Sequence, residues 1–323
     1  MTAILDNFWA LVALKTVAVL AVFLLFPLLV GYMEHKVMAH MQARVGPMEA
    51  GRFHGVLQLV ADGIKFVQKE LIIPRAADRW VFALAPAVAL IPGILVFGFL
   101  PYGADLVPIR SDVGLFVVLA LSSVSVIGVL MAAWASANKY ALMGGVRAAA
   151  QLIAYELPLV LAAAAVAMQA GSADLAVIVE RQATVPYVVY PWQAVGFLIF
   201  GAAALAELQR PPFDMPIADS ELVFGHLTEY SGLRFAFFLL TEYAGIVSMG
   251  AVMATLWLGG WQGPVADGPW WLAIKVFALA FLVIWFRSTF PRLREDQLQS
   301  LAWTRLVPLA LLLILVAGLF KVV

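Results

Sequence analysis

The sequence predicts an all-α, polytopic membrane fold: eight transmembrane helices with an amphipathic interfacial helix in the first connection. Three observations carry that prediction. The chain is 64% hydrophobic and 12% charged, whereas a water-soluble domain is about 45–50% apolar and about 25% charged. Apolar blocks of membrane-spanning length recur from one end to the other with no polar half, so residues 1–323 read as a single integral domain. Lysine and arginine crowd into alternate connections, as they do when successive loops face opposite sides of a bilayer.

A helix that crosses about 30 Å of hydrocarbon needs about 20 mostly apolar residues. Segments near 8–33, 80–100, 114–135, 148–168, 192–208, 233–258, 270–290 and 303–322 meet that need. The first is too long for a signal peptide and no small-residue cleavage site follows it, so it is expected to remain in the mature chain. Pro27, Pro86, Pro92 and Pro158 lie within spans or at their ends, where each leaves a carbonyl that must find another donor.

The odd-numbered connections hold Lys36, Arg44, Arg52, Lys65, Lys69, Arg75, Arg79, Lys139, Arg147, Arg210, Arg292 and Arg294, twelve cations against Arg110 and Arg181 in the even-numbered ones. The positive-inside rule then predicts both termini on the periplasmic side of a bacterial inner membrane and the 34–79 connection in the cytoplasm. Within that connection Phe53, Val56, Leu57, Val60, Ile64, Val67 and Leu71 recur at steps of three and four. Arg52, Gln58, Asp62, Lys65, Lys69 and Glu70 occupy the rest of the wheel. This is an amphipathic helix, lying at the interface or roofing a cavity.

Ionisable groups at membrane depth are costly and face a partner, water or the bundle interior. Glu156 follows Tyr155 in the fourth span, Glu207 closes the fifth and Glu242 lies in the sixth. The 209–232 connection adds Asp214, Asp219, Glu221 and Glu229 against Arg210, so seven carboxylates border one region of the chain. Like charges in a desolvated site favour proton uptake and release near neutral pH, which suits a proton relay. The bland reading is that each acid neutralises a cation such as Arg147, Arg210 or Arg234. Lys15 and Lys275 read as snorkelling side chains. His35, His40, His54 and His226 have no metal-site spacing, so no metal site is expected. With no cysteine, the chain offers no thiolate for an iron–sulfur cluster, and no basic run suggests nucleic acid.

The connections closely resemble one known family. The resemblance begins with Glu34-His35-Lys36 and Met41-Gln42-Ala43-Arg44-Val45-Gly46-Pro47, and continues through Ala61-Asp62-Gly63-Ile64-Lys65 and Lys69-Glu70. Ser136-Ala137-Asn138-Lys139-Tyr140 and Arg147 to Gln151 follow, leading into Tyr155-Glu156-Leu157-Pro158. The most specific block is Ala206-Glu207, Arg210-Pro211-Pro212-Phe213-Asp214-Met215-Pro216, Ser220-Glu221-Leu222 and Thr228-Glu229-Tyr230-Ser231-Gly232. Phe286 to Arg292 and Asp296-Gln297-Leu298 close it. In order, and from about residue 30 to about 305, these are similar to the quinone-chamber subunit of respiratory complex I, the proton-pumping NADH:quinone oxidoreductase.

The resemblance implies a subunit that docks onto the peripheral-arm quinone-site subunits and the membrane antiporter-like subunits. NADH, FMN and the iron–sulfur clusters would be handled by those partners. It implies that Glu34, His35, Lys36, Arg44 and Asp62, with Phe213, Phe224 and Arg287, line the lipid-proximal part of a quinone tunnel. It also implies that Glu156, Glu207, Asp214, Glu221, Glu229 and Glu242 form an acidic path coupling quinone reduction to proton translocation. No catalytic acid for quinone reduction is expected in this chain. His35 stands where the family has arginine, Gln209 and Met48 where asparagine is usual, and Glu295 where tyrosine is frequent. A membrane anchor of an energy-converting hydrogenase or a ferredoxin-linked relative is the alternative. A stand-alone secondary transporter would instead show paired internal repeats.

Overall fold

The structure, a computed structural model, describes residues 8–322. Among the described residues seven helices are long and apolar enough to cross a membrane, and an eighth, Pro191–Glu207, is apolar but shorter. We label the helices α1 (Phe8–Met41), α2 (Gln58–Gln68), α3 (Arg79–Phe99), α4 (Gly114–Ala135), α5 (Lys139–Ala170), α6 (Pro191–Glu207), α7 (Gly232–Trp257) and α8 (Pro269–Thr289). The last, α9, starts as Glu295–Leu301, passes through a π-helical turn at Ala302–Leu306 and continues as Val307–Val322. At 1.5 Å per residue the 17 residues of α6 span about 26 Å, close to the hydrocarbon thickness. All eight predicted spans thus correspond to helices, and no strand occurs among the described residues.

The helix ends differ from the sequence expectation in instructive ways. α1 runs on to Met41 rather than ending near 33, because nothing between Met33 and Met41 breaks a helix and Glu34 finds buried cations. Glu34, His35 and Lys36 therefore lie on a helix rather than in a loop. α5 starts nine residues before the predicted 148, where the Asn138 side chain accepts the Tyr140 N–H at 2.9 Å as an N-cap. The amphipathic helix is shorter than the 53–71 pattern: residues 53–57 form turns, and the helix proper is Gln58–Gln68. A short helix at Leu175–Glu180, capped by Asp174, lies in the connection before α6.

α3 and α4 approach closely. A Cβ at Gly128 would lie 2.5 Å from the Ala89 nitrogen, and the Ser125 hydroxyl donates to the Ala89 carbonyl at 2.9 Å. Pro86 has no N–H to give to the Phe82 carbonyl four residues earlier. The Tyr230 hydroxyl fills that gap at 3.0 Å while its ring stacks on Phe82 with centroids 4.1 Å apart. α5 packs against α4, α6 and α9 through a buried row of small residues that includes Ala148, Ala154, Ala162 and Ala165. α7 touches α1, α3 and α8.

At one end of the bundle polar side chains close the connections. Arg110 pairs with Asp174 at 2.8 Å, and buried Gln182 donates to the Thr255 carbonyl at 2.8 Å. Lys275 donates to the carbonyls of Gly260 and Gln262 at 2.8 and 2.7 Å, and Lys15 to that of Pro108 at 3.3 Å. Both intramembrane lysines thus reach the backbone of connecting segments, as snorkelling requires. The other end carries the 42–78 and 208–231 connections, where the ionisable residues gather.

Candidate functional site

Arg210 organises this end. The backbone turns sharply after α6, with Gln209 at φ 52°, and the Arg210 side chain points into the protein. Its side chain is 3% exposed. Nη1 donates to both oxygens of Glu34, at 2.9 and 3.0 Å. Nε lies 2.8 Å from Glu242 Oε1, an ion pair whose angle does not make a hydrogen bond. The Tyr243 ring covers the guanidinium at 5.0 Å. Burial works against the charge on Arg210, but Glu242 and Glu34 outweigh it and raise its pKa above the usual arginine range. Arg287 also pairs with Glu34. Two arginines and two glutamates from α1, α7, α8 and the α6–α7 connection therefore form a neutral, largely buried cluster.

Two cavities meet at Glu242. A polar vestibule of about 180 Å³ is lined by Arg210, Asp214, Phe224, Glu242, Tyr243 and Arg287. A deeper chamber of about 120 Å³ lies between α3, α4 and α7 and is lined by Glu207, Glu242, His226, Ser122, Thr241 and Ser248, among others. Gln209, Ile217 and Leu227 also line both cavities, so the two share a wall, and Glu242 is its carboxylate.

The remaining acids each have a polar neighbour. Ser123 donates to Glu156 at 2.6 Å. Ser122, whose hydroxyl donates to the Leu119 carbonyl at 2.7 Å, lines the same cavity as Glu207, and Glu156 is near enough to Glu207 for the two carboxylates to repel one another. Arg292 grips Asp214 with two nitrogens at 2.6 and 2.7 Å. Glu221 meets Arg147 at 2.5 Å, with Glu295 3.7 Å from the same arginine, and Asn138 donates to Glu229 at 2.6 Å. The reading of these acids as ion pairs holds geometrically for Asp214, Glu221 and Glu242. Glu156 and Glu229 are held by neutral donors.

The other tunnel candidates are more dispersed. Lys36 closes the Val45–Met48 turn, donating to the Pro47 carbonyl. His35 has a buried Nδ1 with no partner among the described residues. Arg44 is exposed and bonds Gln42 at 2.9 Å, and Asp62 accepts from Gln58 at 3.0 Å on α2. Phe224 lines the vestibule. Phe213 instead packs against Tyr155 and lines an apolar cavity of about 390 Å³ between α6, α7 and α8. α1 and α2 flank a separate, open apolar groove of about 440 Å³, lined by Leu28, Leu59, Val60, Ile64 and Val67.

Several residues of the site carry no signal in the sequence alone. Ser122 and Ser123 are single hydroxyls in an apolar run, and their value comes only from facing Glu207 and Glu156 across helices. Tyr243 reads as a lipid-facing aromatic until Arg210 folds beneath it. The clue available for Arg210 is its position beside two prolines, which sharply turn a chain.

A family profile described as NADH dehydrogenase matches residues 14–318. The chain is 46% identical over 321 residues to an H-type subunit of NADH-quinone oxidoreductase from Syntrophobacter fumaroxidans, covering 97% of this chain and 96% of the relative. It is 47% identical over 313 residues to the H-type subunit of the Bacillus cytotoxicus NADH-quinone oxidoreductase, covering 94% and 93%. The corresponding Geobacillus kaustophilus protein is 47% identical over 293 residues, covering 89% and 87%.

Proposed function

This chain belongs to the NADH dehydrogenase family, and on that premise we propose how it serves as a membrane subunit of NADH-quinone oxidoreductase. It holds the lipid-proximal part of the quinone path and carries charge from there to a chain of half-buried carboxylates. The observation that carries this reading is Glu242, which lines both the polar vestibule and the deeper chamber and is ion-paired to Arg210.

The quinone tail would lie in the apolar groove between α1 and α2, whose lining offers hydrocarbon and no ion pair. The polar vestibule with Arg287, Arg210 and Phe224 lies toward the quinone head's route to the peripheral-arm subunits. Those partners carry FMN and the iron–sulfur clusters and perform the electron transfer. The chain itself has no cysteine to ligate a cluster.

Coupling follows from the neutrality of the cluster. A change of charge or position near Arg287 unbalances Glu34, and Arg210 holds Glu34 and Glu242 through one guanidinium. In a low-dielectric site such a redistribution changes proton affinity strongly. Glu242, loosened from Arg210, can take a proton and turn it toward the chamber that holds Glu207. From Glu207 the neighbouring Glu156, which accepts from Ser123, continues the route toward the antiporter-like partners. Asp214, Glu221 and Glu229 set the potential at the cytoplasmic mouth. The cation-rich connections face the cytoplasm and both termini the periplasm.

The test is to replace Glu242 and Glu156 by glutamine in the intact complex reconstituted in vesicles. Both variants should assemble, and both should lose coupled turnover. Parent rates of quinone reduction and of pumping in both would overturn the carboxylate path. Recovery of this chain alone from mild detergent, with no co-purifying iron–sulfur subunit detected by mass spectrometry, would overturn the subunit assignment.

A further inference from the structure

The deep chamber holds one titratable group that the carboxylate path does not use. His226 lines the chamber with Glu207 and Glu242, is 3% exposed, and its Nδ1 has no hydrogen-bond partner among the described residues. Its position is built by two glycines. Gly225 has φ +56°, and a Cβ there would collide with the Pro216 carbonyl. Gly144 of α5 allows the same segment to lie against it, because a Cβ there would come within 2.9 Å of the Gly225 Cα and 3.2 Å of the His226 nitrogen. The Phe238 ring meets the imidazole edge-on at 5.7 Å. The segment that carries the ring is thereby fixed, while one ring nitrogen remains unpaired.

A buried unpaired nitrogen is costly unless water satisfies it. The chamber, at about 120 Å³, has room for several waters and offers them carboxylates and hydroxyls as further partners. We propose that His226 is a proton-relay residue of this chamber. A water chain from Glu242 delivers a proton to one ring nitrogen while the other releases one toward Glu207. No net charge stays on the ring, and a half-turn of the imidazole about its Cβ–Cγ bond restores the starting tautomer. The proposal rests on the carboxylate path described above.

The charged groups around the ring are few. α6 contributes Glu207 and α7 contributes Glu242, with Arg210 behind it. α4 contributes only the hydroxyls of Ser122 and Ser125, and α3 only Ala89, Gly93 and Val96. α5 presents Gly144. Burial lowers the imidazole pKa to about 4, so the ring passes a proton rather than storing one near neutral pH.

The experiment compares His226→Gln and His226→Glu with Glu207→Gln and Glu242→Gln in the whole complex in vesicles. It reads quinone reduction, proton pumping from pH 6 to pH 8, the solvent deuterium effect and the melting temperature. Glutamine preserves hydrogen bonding but cannot shuttle a proton, so pumping should fall at least about tenfold. Glutamate can shuttle, so His226→Glu should pump better than His226→Gln despite fitting the buried site less well. A purely structural role gives the reverse order. Parent-like pumping and deuterium effect in His226→Gln, with both path variants impaired, would overturn the relay and leave the path standing. Parent-like pumping in both path variants would overturn the path itself. Should His226→Glu fail to assemble, His226→Gln decides alone: lost pumping with an enlarged deuterium effect supports the relay, and unchanged values overturn it.

Discussion

Replacing Arg210 with methionine removes a buried cation that touches both Glu34 and Glu242. The exposures of the three side chains are 3%, 2% and 24%. Removing one partner of a buried ion pair costs about 3–5 kcal/mol, because the other charge is left without compensation. Two features bring the expectation to the lower end. Glu34 keeps Arg287, and Glu242 retains some contact with water. The expected loss is about 3 kcal/mol, roughly a hundredfold in the equilibrium. Denaturant melts of the purified complex in mild detergent would measure it. Arg210→Lys should fall between, since a compact ammonium cannot serve two carboxylates as a forked guanidinium does. Arg210→Met combined with Glu242→Gln leaves Glu34 and Arg287 as a neutral pair and should recover part of the loss. A melt for Arg210→Met superimposable on the parent, or a double variant no more stable than the single, would refute the reasoning.

Two further predictions concern stability alone. Tyr230→Phe strands the Phe82 carbonyl that Pro86 leaves without a donor, at a cost of about 1 kcal/mol. In a Pro86→Ala background the alanine N–H can serve that carbonyl, so the same change should cost less, and additive melting shifts would exclude the shared carbonyl. The second is acid sensitivity from His226, whose folded pKa is pushed down to about 4 from 6.5. The unfolded chain then binds the extra proton first, so this contribution is intact above pH 6.5 and is lost as pH falls toward 4. The loss is on the order of 3 kcal/mol over that window. His226→Phe should flatten the stability profile between those limits, and an unchanged slope would show that the imidazole titrates normally.

Much of this architecture is legible in the sequence because lipid is a demanding solvent. A carboxylate within an apolar run stands out, which is why Glu156, Glu207 and Glu242 can be singled out as residues. Their partners cannot be. Arg210 looks like a surface cation of a loop, and its burial depends on the turn at Gln209, which brings it beneath Tyr243 and between two glutamates far from each other in the chain, Glu34 and Glu242. The end of α1 escapes a sequence reading for a related reason. Polar residues after Met33 suggest exit from the membrane, but polarity does not end a helix, and Glu34 is buried by cations from two distant segments. Phe213, which the resemblance assigns to the tunnel wall, packs on Tyr155 and lines the apolar cavity between α6, α7 and α8. Side-chain direction within a proline-rich turn is not encoded in local pattern.

The amphipathic helix α2 has a consequence for biogenesis. Val60, Ile64 and Val67 on it are half exposed or more, and none of its residues is buried by the rest of the chain. Its 11 residues are too few to hold a helix in water unaided. Phe66 meets Phe235 of α7 and Leu59 lies over Gly31 of α1, so the chain itself holds one side of α2, while the apolar face that stays exposed needs the lipid interface. Protease resistance of the 53–71 segment during synthesis should consequently mark membrane insertion together with the docking of α2 on α1 and α7, so that one short helix reports when the bundle beneath it has closed.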